Sequence, residues 1–313
     1  MNNRHRSDRF LILYFLLPVL LSGCAGGSGQ PVRSGIQLQS AAQLERGIRA
    51  QSKGEVLQAE KLLSDSLKLS SSIEDDPARI TALINLARLN RLHHKPEAAE
   101  LHIDQALKLA RSQSGLMAEA AYEKALIELA QKHIGEALTW ATTSLSSDNG
   151  GAQGKHLNLL ARIHRTLGNR KDASSFAIRA CEENQRNGQL EEEANSLRML
   201  GSIERENRRF AEAGKLLLKS LEIDRQIGES HKIALDLEEL AALSGDQGDL
   251  AMMVQYLERA FSVYLNGGHM DNAASTQLKM AEIHRKTGNM SLADKAEQTA
   301  EKLMRKESSL HSD

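Results

Sequence analysis

Apolar and polar positions fall into two regimes along the 313-residue chain. Residues 1–9 are polar and carry Arg4, Arg6 and Arg9, and residues 10–21 are an unbroken apolar run ending before Ser22, Gly23 and Cys24. A helix needs about 20 apolar residues to span a bilayer, so this shorter run fits the apolar core of a cleaved secretory signal instead. Residues 25–35, AGGSGQPVRSG, are small and polar, the composition of a flexible tether. Beyond residue 40 apolar side chains recur at helical spacing, as in Leu83, Leu86 and Ala87, or Leu157, Leu160 and Ala161, or Leu197, Leu200 and Gly201. No stretch pairs apolar/polar alternation with β-branched enrichment, so the body is predicted to be all helix.

The helical pattern is periodic. ARIHRTLGN at 161–169 returns as AEIHRKTGN at 281–289. Small residues 12 positions apart recur as Gly47/Ala59, Ala87/Ala99, Ala161/Ala173, Gly201/Ala213 and Ala281/Ala293, with Ala241/Met253 at the same spacing. A further alanine often stands seven positions on, at Ala106, Ala180, Ala260 and Ala300. Small side chains let the backbones of two crossing helices approach closely. Gly54, Gly168, Gly248 and Gly288 fall where the first helix of each pair must stop. Asn169, Asp249 and Asn289 supply side-chain oxygens for the next helix start, Pro96 suits a first helical turn, and Asp76-Pro77 reads as an N-cap followed by a first turn.

This pattern resembles the tetratricopeptide repeat family in its long, about 40-residue variety. The resemblance implies an all-α, right-handed solenoid of about seven helix-turn-helix repeats over residues 40–306, with an inner groove. A polar tail, residues 307–313, follows. Repeat three fits only with an adjustment near His133, and it is expected to place Glu123, Ile127 and Ala130 on the groove. Glu297 and Glu301 replace the leucines of earlier second helices (Leu217 and Leu221), the polar face of a terminal cap.

Leu21-Ser22-Gly23-Cys24 resembles the lipobox of bacterial lipoproteins. That resemblance implies cleavage after residue 23, acylation of Cys24 and a tether over residues 24–39. Ala25 in place of aspartate implies the outer membrane, with the body facing the periplasm. Two or three acyl chains anchor stably where one does not.

Composition narrows the function classes. Net charge is −1, and −3 once residues 1–23 with Arg4, Arg6, Arg9 and Asp8 are removed, which gives no electrostatic case for nucleic acid. With Cys24 acylated, Cys181 has no disulfide partner and reads as a small core residue. Histidine is plentiful, but H-E-x-x-H, C-x-x-C, G-x-S-x-G and Gly-rich phosphate loops are absent. His93-His94 falls in a turn, and His164 and His284 occupy equivalent repeat positions. No metal, cofactor or catalytic activity is therefore expected.

One constellation stands out. In the family, first-helix positions 2, 5, 9 and 12 line the groove. Here they give Lys155, Asn158, Arg162 and Arg165 in repeat four, and Asn195, Arg198, Ser202 and Arg205 in repeat five. Arg88 and Arg91 add to the strip in repeat two and Arg285 in repeat seven. The strip is loosely similar to the carboxylate clamp of co-chaperone repeats. It is expected to face solvent and to take an acidic peptide or a free C-terminus, unless Glu191–Glu193 or Glu238 and Glu239 neutralise it. The expected function is a lipid-anchored scaffold for a protein or peptide of an envelope assembly (pilus, secretion, outer-membrane or peptidoglycan machinery). The alternative is a cell-wall binding or regulatory protein acting on peptidoglycan enzymes.

Overall fold

A computed structural model describes residues 33–310, with side chains as far as Arg305. The basic leader, Leu21, Ser22, Gly23 and Cys24 lie outside the described residues. Fourteen helices and one short 3₁₀ turn (Ala110–Ser112) account for the secondary structure, with no strand among the described residues. They form seven antiparallel pairs: α1 (Gly35–Ser52) with α2 (Val56–Ser71), α3 (Asp76–Leu92) with α4 (Pro96–Leu109), α5 (Ser114–Ala130) with α6 (Ile134–Ser147), and α7 (Gln153–Thr166) with α8 (Arg170–Arg186). Then come α9 (Leu190–Glu206) with α10 (Phe210–Ile227), α11 (Ser230–Asp246) with α12 (Leu250–Asn266), and α13 (Met270–Lys286) with α14 (Met290–Leu310). The array starts at Gly35, inside the expected tether, and α14 runs on through Leu310 into the expected tail.

Small residues sit where the paired helices cross. Ala59, Ala87, Ala99, Ala161, Ala173, Ala213 and Ala293 are fully buried. At Gly201 an added Cβ would lie 2.7 Å from Leu217 Cγ, and at Gly47 2.9 Å from Leu63 Cγ, so these crossings exclude even a methyl group without a shift. Met253, the one large residue at its position, fits because Gly245 leaves the space. A Cβ there would stand 2.8 Å from Met253 Sδ. Cys181 is a buried free thiol in the same core as Ala173 and Ala177.

The turn inside each pair has a positive φ at one fixed position: Gly54, His94, Lys132, Gly168, Arg208, Gly248 and Gly288. Four of the seven were legible as glycine; His94, Lys132 and Arg208 adopt the left-handed region with a side chain. Lys132 is exposed at φ 67°. A Lys132→Gly variant is expected to be more stable by up to about 1 kcal/mol, because relief of the left-handed penalty exceeds glycine's extra unfolded-state entropy. A lowered urea midpoint would contradict this. Capping is sparser than the sequence implies. Asp249 accepts from the Met252 N–H (2.9 Å), whereas Asn169 makes no side-chain cap and Asn289 donates to Thr287 Oγ1. Asp75, not Asp76, caps α3, accepting from the Ala78 N–H at 3.2 Å.

Successive first helices touch one another from α1 to α11, while successive second helices are held apart by the first helices between them. A stack whose first helices are closer together than its second helices curves with the first helices inside. The faces of α1, α3, α5, α7, α9, α11 and α13 therefore line the concave side.

Candidate functional site

The concave face is a ladder of charged ties between neighbouring repeats. Arg88 and Arg91 on α3 both reach Glu123 on α5, at 3.2 and 2.6 Å, and the Glu123 side chain is 0% exposed. Lys155 on α7 reaches back to Glu119 on α5 at 2.6 Å, and its ammonium also lies 4.3 Å over the Tyr122 ring. Asn158 donates to Glu192 on α9 (3.0 Å), and Arg165 pairs with Glu206 at 2.8 Å. Asn195 donates to Glu192 and accepts from Arg198 and Lys232. Arg198 bridges Asp224 on α10 and Asp236 on α11, and Arg205 pairs with Asp246 at 2.6 Å. Lys279 on α13 pairs with Glu238 on α11 at 2.7 Å. Arg285 instead turns to Glu297 on its own partner helix.

The expectation of a solvent-facing basic strip is thus corrected. Arg88, Arg91, Lys155, Asn158, Arg165, Asn195, Arg198, Arg205 and Arg285 are engaged within the chain. Arg165 and Arg205 have side chains 30% and 17% exposed, not open to solvent. Most of the acids that satisfy them stand one repeat away, 32 to 41 residues along the chain; Glu192 on Asn195, Asp224 on Arg198 and Glu297 on Arg285 belong to the same repeat. Opposite charges spaced by one repeat on one face were the signal available in the sequence; the acids within reach of Arg165 and Arg205, Glu206 and Asp246, lie near the ends of their helices.

Arg162 differs from the rest. It is exposed, and among the described residues its guanidinium has no ion pair or hydrogen bond. Its pKa is nevertheless lowered, by burial among the surrounding groove walls first and then by the like charges of Arg91 and Arg165, while Tyr122 opposes the shift. An arginine that water reaches but whose hydration is curtailed is what a concave wall produces. Its protonation does not change near neutrality, since the ordinary guanidinium pKa is so high.

Repeat three is in register after all. Glu123 and Ile127 are buried between repeats, and the half-buried groove positions on α5 are Tyr122, Leu126 and Leu129. All three pack on the cluster containing Leu159, Leu160 and Ile163 of α7. The middle of the concave face is therefore an apolar floor beside a free guanidinium.

Elsewhere, buried polar groups serve packing. His156 is fully buried, its Nδ1 2.6 Å from Ser144 Oγ, which donates to the Ala118 carbonyl at 2.8 Å. His164 stacks on Phe176 with ring centroids 5.1 Å apart. His231, Tyr264 and His269 form a ring cluster between α11, α12 and the start of α13. Burial lowers the pKa of His156, His231 and His269, which favours neutral rings. No group of three or more metal-ligating side chains occurs among the described residues. None of the described helices is long and apolar enough to cross a membrane.

Fold and face together define an α-solenoid of helix pairs with a charge-stitched concave surface. The chain contains tetratricopeptide repeats. The family model described as "Tetratricopeptide repeat" matches residues 38–112, and the one described as "Soluble NSF attachment protein, SNAP" matches residues 186–312. No curated protein matches the chain in sequence. Among solved structures, a Rap protein complexed with Competence and Sporulation Factor aligns at TM-score 0.64 and 15% identity over 85% of this chain and 76% of its own. The apo form of RapI aligns at 0.63 and 14%, over 86% and 99%. Pseudomonas aeruginosa pilF aligns at 0.51 and 16%, over 79% and 100%. At these identities the likeness concerns the fold.

Proposed function

We propose that this protein is a lipid-anchored, non-catalytic scaffold of the bacterial envelope, held through Cys24 in the outer membrane with its array in the periplasm. The array takes a segment of a protein partner on its concave face. The basic leader, short apolar run and lipobox support the anchor. The solenoid fold, shared with pilF, suits a non-catalytic scaffold. The observation that carries the reading is the mid-groove surface, where an apolar floor and an uncompensated arginine interrupt an otherwise self-satisfied face. Hydrogen-bonding groups already paired within a protein have little to offer a partner; free ones beside apolar surface do.

Two measurements test this reading. Labelled fatty acid should enter the wild-type chain and not a Cys24→Ala variant, which should also retain residues 1–23 by mass; equal labelling of both would remove the anchor. A photo-crosslinking residue at Leu126 in the full chain should give a discrete adduct in cells. The same probe at Ser175, exposed on the second helix α8, should give none. Adducts of equal yield from both positions would remove the concave face as the binding surface.

A further inference from the structure

The reading of the concave face as a partner-binding surface leaves open what that face selects, and the inference that follows rests on that reading. Two features make the middle of the groove chemically distinct. Arg162, on the fourth of seven first helices, is exposed and its guanidinium has no ion pair or hydrogen bond among the described residues. The charges around it are not balanced either: Arg88 and Arg91 share the single carboxylate of Glu123, Lys155 pairs with Glu119, Arg165 and Arg170 share Glu206, and the nearby Glu192 carboxylate is held by Asn158 and Asn195. The centre of a chain whose net charge is −1 therefore carries surplus positive charge on a face where other cations are neutralised.

We propose that Arg162 receives one acidic side chain, aspartate or glutamate, from within an extended partner segment whose neighbouring aliphatic side chains rest on Leu126 and Leu129. A rigid guanidinium fork donates two parallel N–H···O bonds to a carboxylate, and partial removal of water in a groove strengthens such charge-assisted pairs. Aliphatic contact supplies the rest of the affinity, because Leu126 and Leu129 are only half-buried and the leucine-rich cluster beneath them fixes their positions. An internal acid, not a chain end, is selected by position. The groove continues past Arg162 over three first helices on either side, so a bound segment runs through the site.

The test uses the full chain and an array of N-acetylated, C-amidated dodecapeptides rich in leucine and valine. One series carries a central glutamate, a second a central glutamine, and a third the same glutamine peptides with a free C-terminal carboxylate. The wild type should retain the glutamate series about tenfold or more above the capped glutamine series, the margin expected for one charge-assisted pair. Arg162→Gln should erase that margin while keeping its helical signal and its residual binding to both capped series. A margin that survives in Arg162→Gln, or no margin in the wild type, would overturn the role of Arg162 while the concave-face reading stands. Free-carboxylate peptides matching the glutamate series would show a site for chain ends and overturn the proposal likewise. Failure of every series to bind would overturn the concave-face reading and this inference together.

Discussion

Replacing Arg198 with leucine is expected to destabilise the array by about 3–5 kcal/mol, the range for removing one partner of a buried ion pair. Its side chain is 13% exposed and bridges two carboxylates, Asp224 and Asp236, that are 0% exposed. Ser220 adds one hydrogen bond to Asp236 at 2.7 Å, but Asp224 Oδ1 and Asp236 Oδ2 have no hydrogen-bond partner among the described residues. Leucine would leave two buried acids sharing no cation at that point. In a repeat array the loss is local before it is global, so hydrogen exchange across α9–α11 and the urea transition should both report it. Wild-type exchange rates in the variant would show that the bridge contributes nothing.

The same cluster has a pH dependence. Burial pushes the Asp224 carboxyl up to about 7; Arg198 opposes the shift and Asp236 adds to it. Because the folded state holds this proton more tightly than the unfolded chain does, the associated stability is fully present below the ordinary aspartate range near pH 4. It is lost as pH rises towards 7. The slope should flatten in Asp224→Asn. Lys232 on α11 also bears favourably on the Asp224 carboxylate, and His231, Glu238 and Tyr264 complete the charged and titratable surroundings of Arg198 and Asp236.

Ala173→Leu is expected to cost about 1–3 kcal/mol by overpacking. Ala173 is fully buried within the α7–α8 pair, in one cluster with Ala161 and Ala177. The equivalent position in repeat six carries Met253 without penalty, because Gly245 stands where repeats two, four, five and seven have Arg91, Arg165, Arg205 and Arg285. Repeat four has Arg165 there, so no such space exists. Circular dichroism of the variant should show helix melting at lower temperature; an unchanged transition would mean that the crossing lies elsewhere.

The architecture was legible because it is repetitive. Five small-residue pairs at one spacing, and a sixth pair with Met253, leave little freedom for the pairing of helices, and each is set by local sterics. Turn glycines were legible for the same reason. His94, Lys132 and Arg208 were not, since a side chain carries no mark of the φ its surroundings impose. The site was half legible. The strip's positions followed from the register, but whether Arg198 meets water or Asp236 depends on the rotation between repeats, which a single repeat does not encode. The misplaced register of repeat three had a similar origin. Its helices α5 and α6 have 36 or 38 residues to their neighbours where 40 is usual, and Gly115 sits inside the first turn of α5 instead of before it.

The charged ties of the concave face also set how the array deforms. Most of them join first helices that already touch, whereas among the described residues no ion pair joins one second helix directly to the next, so the inner side acts as a line of pivots and the outer side as the part that yields. Bending then resembles opening a fan about its rivet, with a stiffness that follows ionic strength because several rivets are partly exposed ion pairs. A partner segment lying along the pivot line adds rungs where the lever arm is shortest. It would stiffen the curvature the array already has and leave its radius almost unchanged.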